Sequence, residues 1–207
     1  MLRVGLTGSI GVGKSFVVGV LAELGCRVLD ADDTAREVVA RDSPALQDVV
    51  REFRAEILQK DGTLDRARLG ALVFADAEKR ELLNSILHPY IIERQNALLR
   101  EWETEDPNGI GIVDAALMIE SGGYKRFDKL IVVHCRPEVQ LDRVMSRNKL
   151  SRSEAEKRIG AQMSQEEKMK FANYLIDTSD GFEAARKRTQ EVYGALLAES
   201  KRKELQG

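Results

Sequence analysis

Only two cysteines, Cys26 and Cys135, occur in the 207 residues, and they form neither a CxxC pair nor a cluster with metal-ligand spacing. A disulfide framework and a cysteine-built zinc site are excluded, and a reduced, cytoplasmic setting is expected. No stretch approaches the roughly 18 consecutive apolar residues that cross a bilayer, so a membrane-spanning protein is excluded. The start MLRVGLTGSI has no cationic region followed by a long apolar run, so no secretory leader is expected. Gly and Pro number only 16 and 4, too few for a collagenous or low-complexity chain. A net charge of −2 offers no global basic field to attract nucleic acid, so any anion site must be local. A hydrophobic content of 43% remains, enough for a packed core in a single domain with insertions.

Short β-branched apolar runs alternate with longer helical patterns, the signature of a parallel sheet with crossover helices. Five strands are expected: Leu2–Leu6, Arg27–Asp30, Ile110–Asp114, Lys129–Cys135 and Tyr174–Ile176. Val17, Val20, Leu21 and Leu24 share one helix face after the first strand, and Gly25 can close that helix. The long interval between the second and third strands is too great for one crossover and predicts a helical insertion, residues 41–107. Within it Leu46, Val49, Val50, Phe53 and Ile57 form one stripe and Leu69, Leu72 and Val73 another. A further helix is expected to start at Pro89 and to end at Asp106-Pro107-Asn108-Gly109. A charged segment, 136–173, has few large apolar residues and is expected to act as a lid. The last helix presents Phe182, Ala185, Thr189, Val192, Tyr193 and Leu196 on one face. The core is then 1–40, 108–135 and 174–207.

Gly8-Ser9-Ile10-Gly11-Val12-Gly13-Lys14-Ser15 matches GxxxxGK[ST] between a strand and an amphipathic helix. A shuffled chain of this composition would contain the pattern with a probability of roughly 0.6%. Glycines let consecutive backbone amides converge on phosphate oxygens at the positive end of the helix. Gly8 to Ser15, with Phe16 following, are therefore expected to bind a nucleoside triphosphate, Lys14 to meet its β and γ phosphates, and Ser15 to offer a hydroxyl to Mg²⁺.

A phosphate loop alone does not name a reaction. Asn148-Lys149-Leu150-Ser151 lacks the Asp of a GTPase base-reading motif, and Asp106-Pro107-Asn108-Gly109 precedes a strand where a DxxG switch would follow one. A small-molecule kinase is the leading reading, with a nucleotide or nucleoside kinase and an acceptor-less switch as alternatives. Asp30-Ala31-Asp32 ends the second strand at the carboxyl edge of the sheet, where open α/β folds bind ligands. We assign acceptor activation to Asp32, helix capping to Asp33 and support to Asp30; capping is the competing reading of Asp32. Asp114 closes the third strand either as a Walker-B carboxylate for the metal or as a plain strand end. Arg143 and Arg147, one helical turn apart, either close on the transferring phosphoryl group or are solvated charge. His88 either accompanies helix initiation at Pro89 or contacts an acceptor, His134 is expected to be packed or edge-exposed rather than catalytic, and Cys26 and Cys135 are expected to pack.

LTGSIGVGKS, LDADDTAR, LHP (Leu87–Pro89), DAALMIE (Asp114–Glu120) and RIGAQ (Arg158–Gln162) together resemble the dephospho-CoA kinase family over nearly the whole chain. The resemblance implies a P-loop NTPase-type three-layer α/β fold with a five-stranded parallel sheet, ATP as donor and the ribose 3′-hydroxyl of dephospho-CoA as acceptor. It implies Asp32 as the acceptor base, Arg66, His88 and Leu117 to Glu120 on the acceptor side, and Arg143 and Arg147 in the lid. Small molecules are then the partners, and a monomer is expected. Two positions depart from the family pattern: Ala116 replaces a Pro, and Asn173 an Asp.

Overall fold

In the computed structural model, residues 1–204 are described. The strands are β1 (Leu2–Thr7), β2 (Arg27–Asp30), β3 (Ile110–Asp114), β4 (Lys129–His134) and β5 (Tyr174–Asp177). They form one parallel sheet in the order β2-β3-β1-β4-β5. Val4 of β1 is in register with Ile112 of β3 on one side and with Lys129 of β4 on the other. Parallel strands covered on both faces need apolar residues at every position rather than alternate ones. All five residues of β3 are accordingly buried, as are the four central residues of β4.

The helices are α1 (Lys14–Glu23), α2 (Ala31–Val38), α3 (Pro44–Phe53), α4 (Arg66–Ala75), α5 (Ala77–Glu105), α6 (Pro137–Asn148), α7 (Arg152–Gly160), α8 (Gln165–Met169) and α9 (Gly181–Glu204). Val17 and Leu21 of α1 and Val192 and Leu196 of α9 pack with Val4, Leu6, Ile112, Ile131 and Ile176 of the sheet in one core. Gly25 ends α1 as expected: at φ 98°, it lets the Cys26 amide reach back to the Leu21 carbonyl at 3.0 Å.

The chain divides into two compact units, one of residues 1–29 with 101–207 and the other of residues 30–100. The second has its own core of Val39, Leu46, Val49, Ile57, Leu64 and Leu69, against which Leu83, Ile86, Leu87 and Tyr90 pack.

Three expectations about helices change. Pro89 does not start a helix; it lies inside the 29-residue α5. An internal proline forfeits one backbone bond and costs about 3 kcal/mol. Four apolar side chains on the same stretch, Leu83, Ile86, Leu87 and Tyr90, pack partly buried against the second core, and their combined burial offsets that cost. Ile57 is buried but is not on the α3 stripe, because Arg54 at φ 67° stops α3 and Ile57 falls in the following 3₁₀ turn. Phe182 is 72% exposed, its ring lying 4.8 Å from that of Phe16, while Ala185, Thr189, Val192 and Leu196 bury the α9 face.

The charged segment 136–173 folds as three short helices. Ser151 and Ser164 each form a reciprocal capping box, with Glu154 and Glu167 respectively, and so satisfy the amides that a short helix leaves open. Asn173 extends the pairing of β4 with β5: its amide donates to Leu130 O at 2.9 Å and its side-chain oxygen accepts from Leu130 N at 2.8 Å.

Candidate active site

The phosphate loop runs from the end of β1 into α1. Gly8 is packed so closely that a Cβ would lie 2.7 Å from the Val133 carbonyl oxygen, and Gly13 caps α1 at φ 83°. Neither position accommodates a side chain without a shift of backbone. The first amides of α1 have no intrahelical acceptor and carry the positive end of the helix dipole, which makes this loop an anion site.

Side-chain amides and a hydroxyl grip the outside of the loop. Ile10 N–H donates to Gln162 Oε1 at 2.8 Å, and Ile10 O accepts from Gln140 Nε2 at 2.8 Å. Gln165 donates to Gln140 at 2.7 Å and accepts from Cys135 N at 2.9 Å. Thr178, just beyond β5, donates to Val12 O at 2.6 Å. Arg143 in turn donates to Thr178 Oγ1 at 2.9 Å and to Thr178 O at 2.7 Å. Arg143 thus sits beside Gly13, whereas Arg147, one turn later, is exposed and bonds to Asn148 at 3.4 Å. The lid arginines expected as a pair therefore have different surroundings.

Asp114 is buried at the end of β3, where its Oδ1 forms an ion pair with Lys14 Nζ. Ser15, exposed on the first turn of α1, and the Asp114 carboxylate supply hard oxygen ligands of the kind Mg²⁺ prefers. Among the described residues no three His, Cys, Asp or Glu side chains form a metal cage.

Asp30, not Asp33, is the cap of α2. Its carboxylate accepts from Asp32 N at 2.7 Å and Asp33 N at 3.4 Å, because Asp30 keeps the extended backbone required of an N-cap. Asp33 instead pairs with Arg36 at 2.7 Å. Asp32 lies on the first turn of α2 with an exposed carboxylate that accepts no hydrogen bond among the described residues.

The expected acceptor residues are divided between the two units. Arg66 and His88 belong to the second, with His88 exposed on α5 and Arg66 donating to Arg36 O at 3.1 Å. Leu117 and Glu120 belong to the first, where Leu117 is 53% exposed and Glu120 pairs with the buried Lys168 at 2.9 Å. Arg36, Arg41 and Arg66 also line a cavity of about 450 Å³ in the second unit, together with Gln59, Thr63 and Asp65. Arg36 and Arg41 are paired with Asp33 and Asp42 beside the cavity, and Asp65, the one carboxylate among the lining residues, caps α4.

The sequence reading missed Gln140, Gln165, Thr178, Lys168, Arg36 and Arg41. Gln162 was visible in RIGAQ without a role, and Thr178 stands one residue past a carboxyl strand end, a position that invites attention. Gln140 and Lys168 carry no such signal, since on helices rich in charge they look like solvent-facing residues. Cys135 lies beside this network, and burial pushes its thiol above the ordinary range although Arg143 opposes the shift.

A profile of the dephospho-CoA kinase family matches residues 2–183. A dephospho-CoA kinase of Streptomyces avermitilis is 39% identical over 198 residues, covering 95% of each chain. A dephospho-CoA kinase domain-containing protein of Danio rerio is 40% identical over 95% of this chain and 86% of its own. Among solved structures, dephospho-CoA kinase from Campylobacter jejuni superposes with a TM-score of 0.71 at 29% identity, covering 95% of this chain and 97% of that one. The protein TT1252 of Thermus thermophilus has a TM-score of 0.77 at 30% identity, covering 94% and 96%. The P-loop, the carboxylate closing β3 and these likenesses over almost the full length agree: the chain belongs to the dephospho-CoA kinase family.

Proposed function

We propose that this family member transfers the γ-phosphoryl group of ATP to the ribose 3′-hydroxyl of dephospho-CoA through the residues described above. The ion pair between Lys14 and Asp114 beside the phosphate loop carries the reading, because it joins the loop's cation to the carboxylate of a neighbouring strand. Backbone amides of Gly8 to Ser15 would cradle the triphosphate, Lys14 would neutralise its terminal phosphates, and Phe16 would follow at the start of the helix. Ser15 and Asp114 would hold Mg²⁺, which when bound supplies charge neutralisation across the β and γ phosphates.

Asp32 would accept the proton of the acceptor hydroxyl, a role open to a carboxylate that neither caps a helix nor pairs with a cation. Arg143, fixed by Thr178, would brace the phosphate loop while Arg147 remains free to approach from the lid, residues 136–173. The helical insertion would bind the acceptor, with Arg66 and the arginine-lined cavity around it taking the diphosphate and His88 contributing a further contact, while Leu117 and Glu120 of the other unit are proposed as acceptor residues on the family resemblance alone. Among the described residues no helix is long and apolar enough to cross a membrane. The enzyme would be cytoplasmic and monomeric, and light scattering on the purified chain checks the monomer.

The test is mass analysis of dephospho-CoA incubated with ATP, magnesium and the protein, beside a panel of nucleoside monophosphates. Gain of one phosphoryl group by dephospho-CoA is expected. Faster turnover of a nucleoside monophosphate overturns the acceptor assignment.

A further inference from the structure

Lys168 is the largest side chain with no solvent exposure among the described residues. Its ammonium donates to the Ala116 carbonyl at 2.6 Å and pairs with Glu120 at 2.9 Å. A buried ammonium is costly to desolvate, and an apolar side chain would usually fill such a site with equal or greater stability. The contacts suggest what this one does. Ala115 and Ala116 directly follow Asp114, and each is tied down: Ala115 N–H donates to Leu6 O at 3.0 Å, and Ala116 O accepts from both Thr7 Oγ1, at 3.1 Å, and Lys168. Glu120 also accepts from Met163 N at 3.3 Å, and the neighbouring Gln162 holds the Ile10 amide. One short stretch, residues 162–168, therefore grips both the phosphate loop and the backbone leaving β3.

We infer that Lys168 is a positioning residue for phosphoryl transfer: by holding Ala116 and Glu120 it fixes the backbone just beyond Asp114, and so aims that carboxylate at Lys14 and at the cation it would share. The inference rests on the role proposed above for Asp114. Lys168 would act at a distance from the reacting atoms: its ammonium is bonded to Ala116 O and Glu120 and sealed from solvent, which suits it to neither base nor nucleophile. A small misplacement of a catalytic group can cost about a hundredfold in rate, and the polar anchor guards against that where an apolar side chain would leave Ala116 O with one donor fewer.

The test compares Lys168→Met in the native background with Lys168→Met in an Asp114→Asn background, using folded protein checked by circular dichroism. In the native background kcat should fall roughly ten- to hundredfold, with KM for ATP changed less than about threefold. In the Asp114→Asn background the same change should lower kcat less than about threefold, because coupled residues are not additive. Calorimetry should show metal-free ADP binding unchanged and the gain in ADP affinity on adding Mg²⁺ reduced. An equal fall in both backgrounds, or equal weakening of ADP binding with and without metal, overturns the inference in favour of a purely structural lysine. Full activity of Asp114→Asn alone overturns the reading of Asp114 and the inference with it. Should Lys168→Met not fold, Thr7→Val removes the other donor to Ala116 O with little change of shape. Its smaller loss of kcat must likewise shrink in the Asp114→Asn background, and a loss that does not shrink overturns the inference.

Discussion

The two compact units differ in where their site-forming polar side chains find partners. In the unit of residues 1–29 and 101–207, polar groups join parts of the chain far apart in sequence: Gln162 to Ile10, Thr178 to Val12, Lys168 to Ala116, and Glu103 to both Met1 and Arg3. In the unit of residues 30–100 Tyr90 and Arg94 reach across to Asp48 and Glu37, but many polar bonds are local, as in Asp30 capping α2, Asp61 binding Thr63 and Asp76 binding Glu78 and Lys79, and the cavity arginines are largely exposed. Buried, long-range polar contacts fix geometry, which suits a site that must meet a triphosphate in one arrangement. Exposed cations on a separately packed unit can bind a charged ligand while adapting to it. On the roles proposed above, the first unit would carry preorganisation and the second recognition.

The strongest way to break this division is Asp32→Asn, which alters a residue of the second unit assigned to chemistry. Turnover should fall on the order of 10²–10⁴-fold with ATP affinity almost unchanged, as measured by steady-state kinetics and nucleotide titration. Unchanged turnover would return the residue to a surface role. Next, Lys14→Met should lower turnover on the order of 10²–10³-fold and weaken ATP as well, because this cation belongs to the preorganised unit. Loss of acceptor affinity with ATP affinity intact would reverse the comparison.

Arg66→Ala should raise KM for dephospho-CoA roughly tenfold or more, the size of one charge-assisted hydrogen bond, and leave KM for ATP within about twofold. Acid should weaken the first unit through three of its hydrogen-bonded carboxylates. Glu103, Asp177 and Glu199 are each partly buried, which by itself would raise their pKa, yet hydrogen bonds from Arg3 and the N-terminus, from Ser179, and from Lys129 and Tyr174 hold them below the ordinary range. A carboxyl group whose folded pKa is depressed contributes stability above its unfolded pKa and loses it as pH falls through the folded value. The urea midpoint should thus decline between roughly pH 5 and pH 3, and Glu103→Gln should flatten part of that decline. The smallest effect concerns Cys26, whose thiol burial raises to about 12. Thiol reagents should label it slowly at neutral pH in the folded chain and quickly once denatured.

Much of the fold is legible in the chain because parallel strands buried on both faces leave continuous apolar runs. The five expected strands match those observed, with small shifts only at their ends. The phosphate loop is legible for a different reason: its backbone shape demands glycine, and glycine at φ 83° or against the Val133 carbonyl leaves a visible spacing. What could not be read are features settled by competition between distant groups. Pro89 suggests a helix start until the second core supplies enough burial to carry α5 past it. Any one of three neighbouring aspartates could cap α2, and the backbone conformation of Asp30 decides. Lys168 and Gln140 sit among charged neighbours, and nothing in their spacing announces that both will be buried.

Sequence by itself determined the sheet, the phosphate loop, the carboxylates at the strand ends and the family, because each depends on local backbone demands or on short spacings. Tertiary structure alone decided which polar side chains brace that loop, that Arg143 is held by Thr178 while Arg147 stays exposed, and that Lys168 anchors the backbone beyond Asp114. These contacts join residues many positions apart, and a hydrogen bond takes its meaning from the partner that folding brings within about 3 Å.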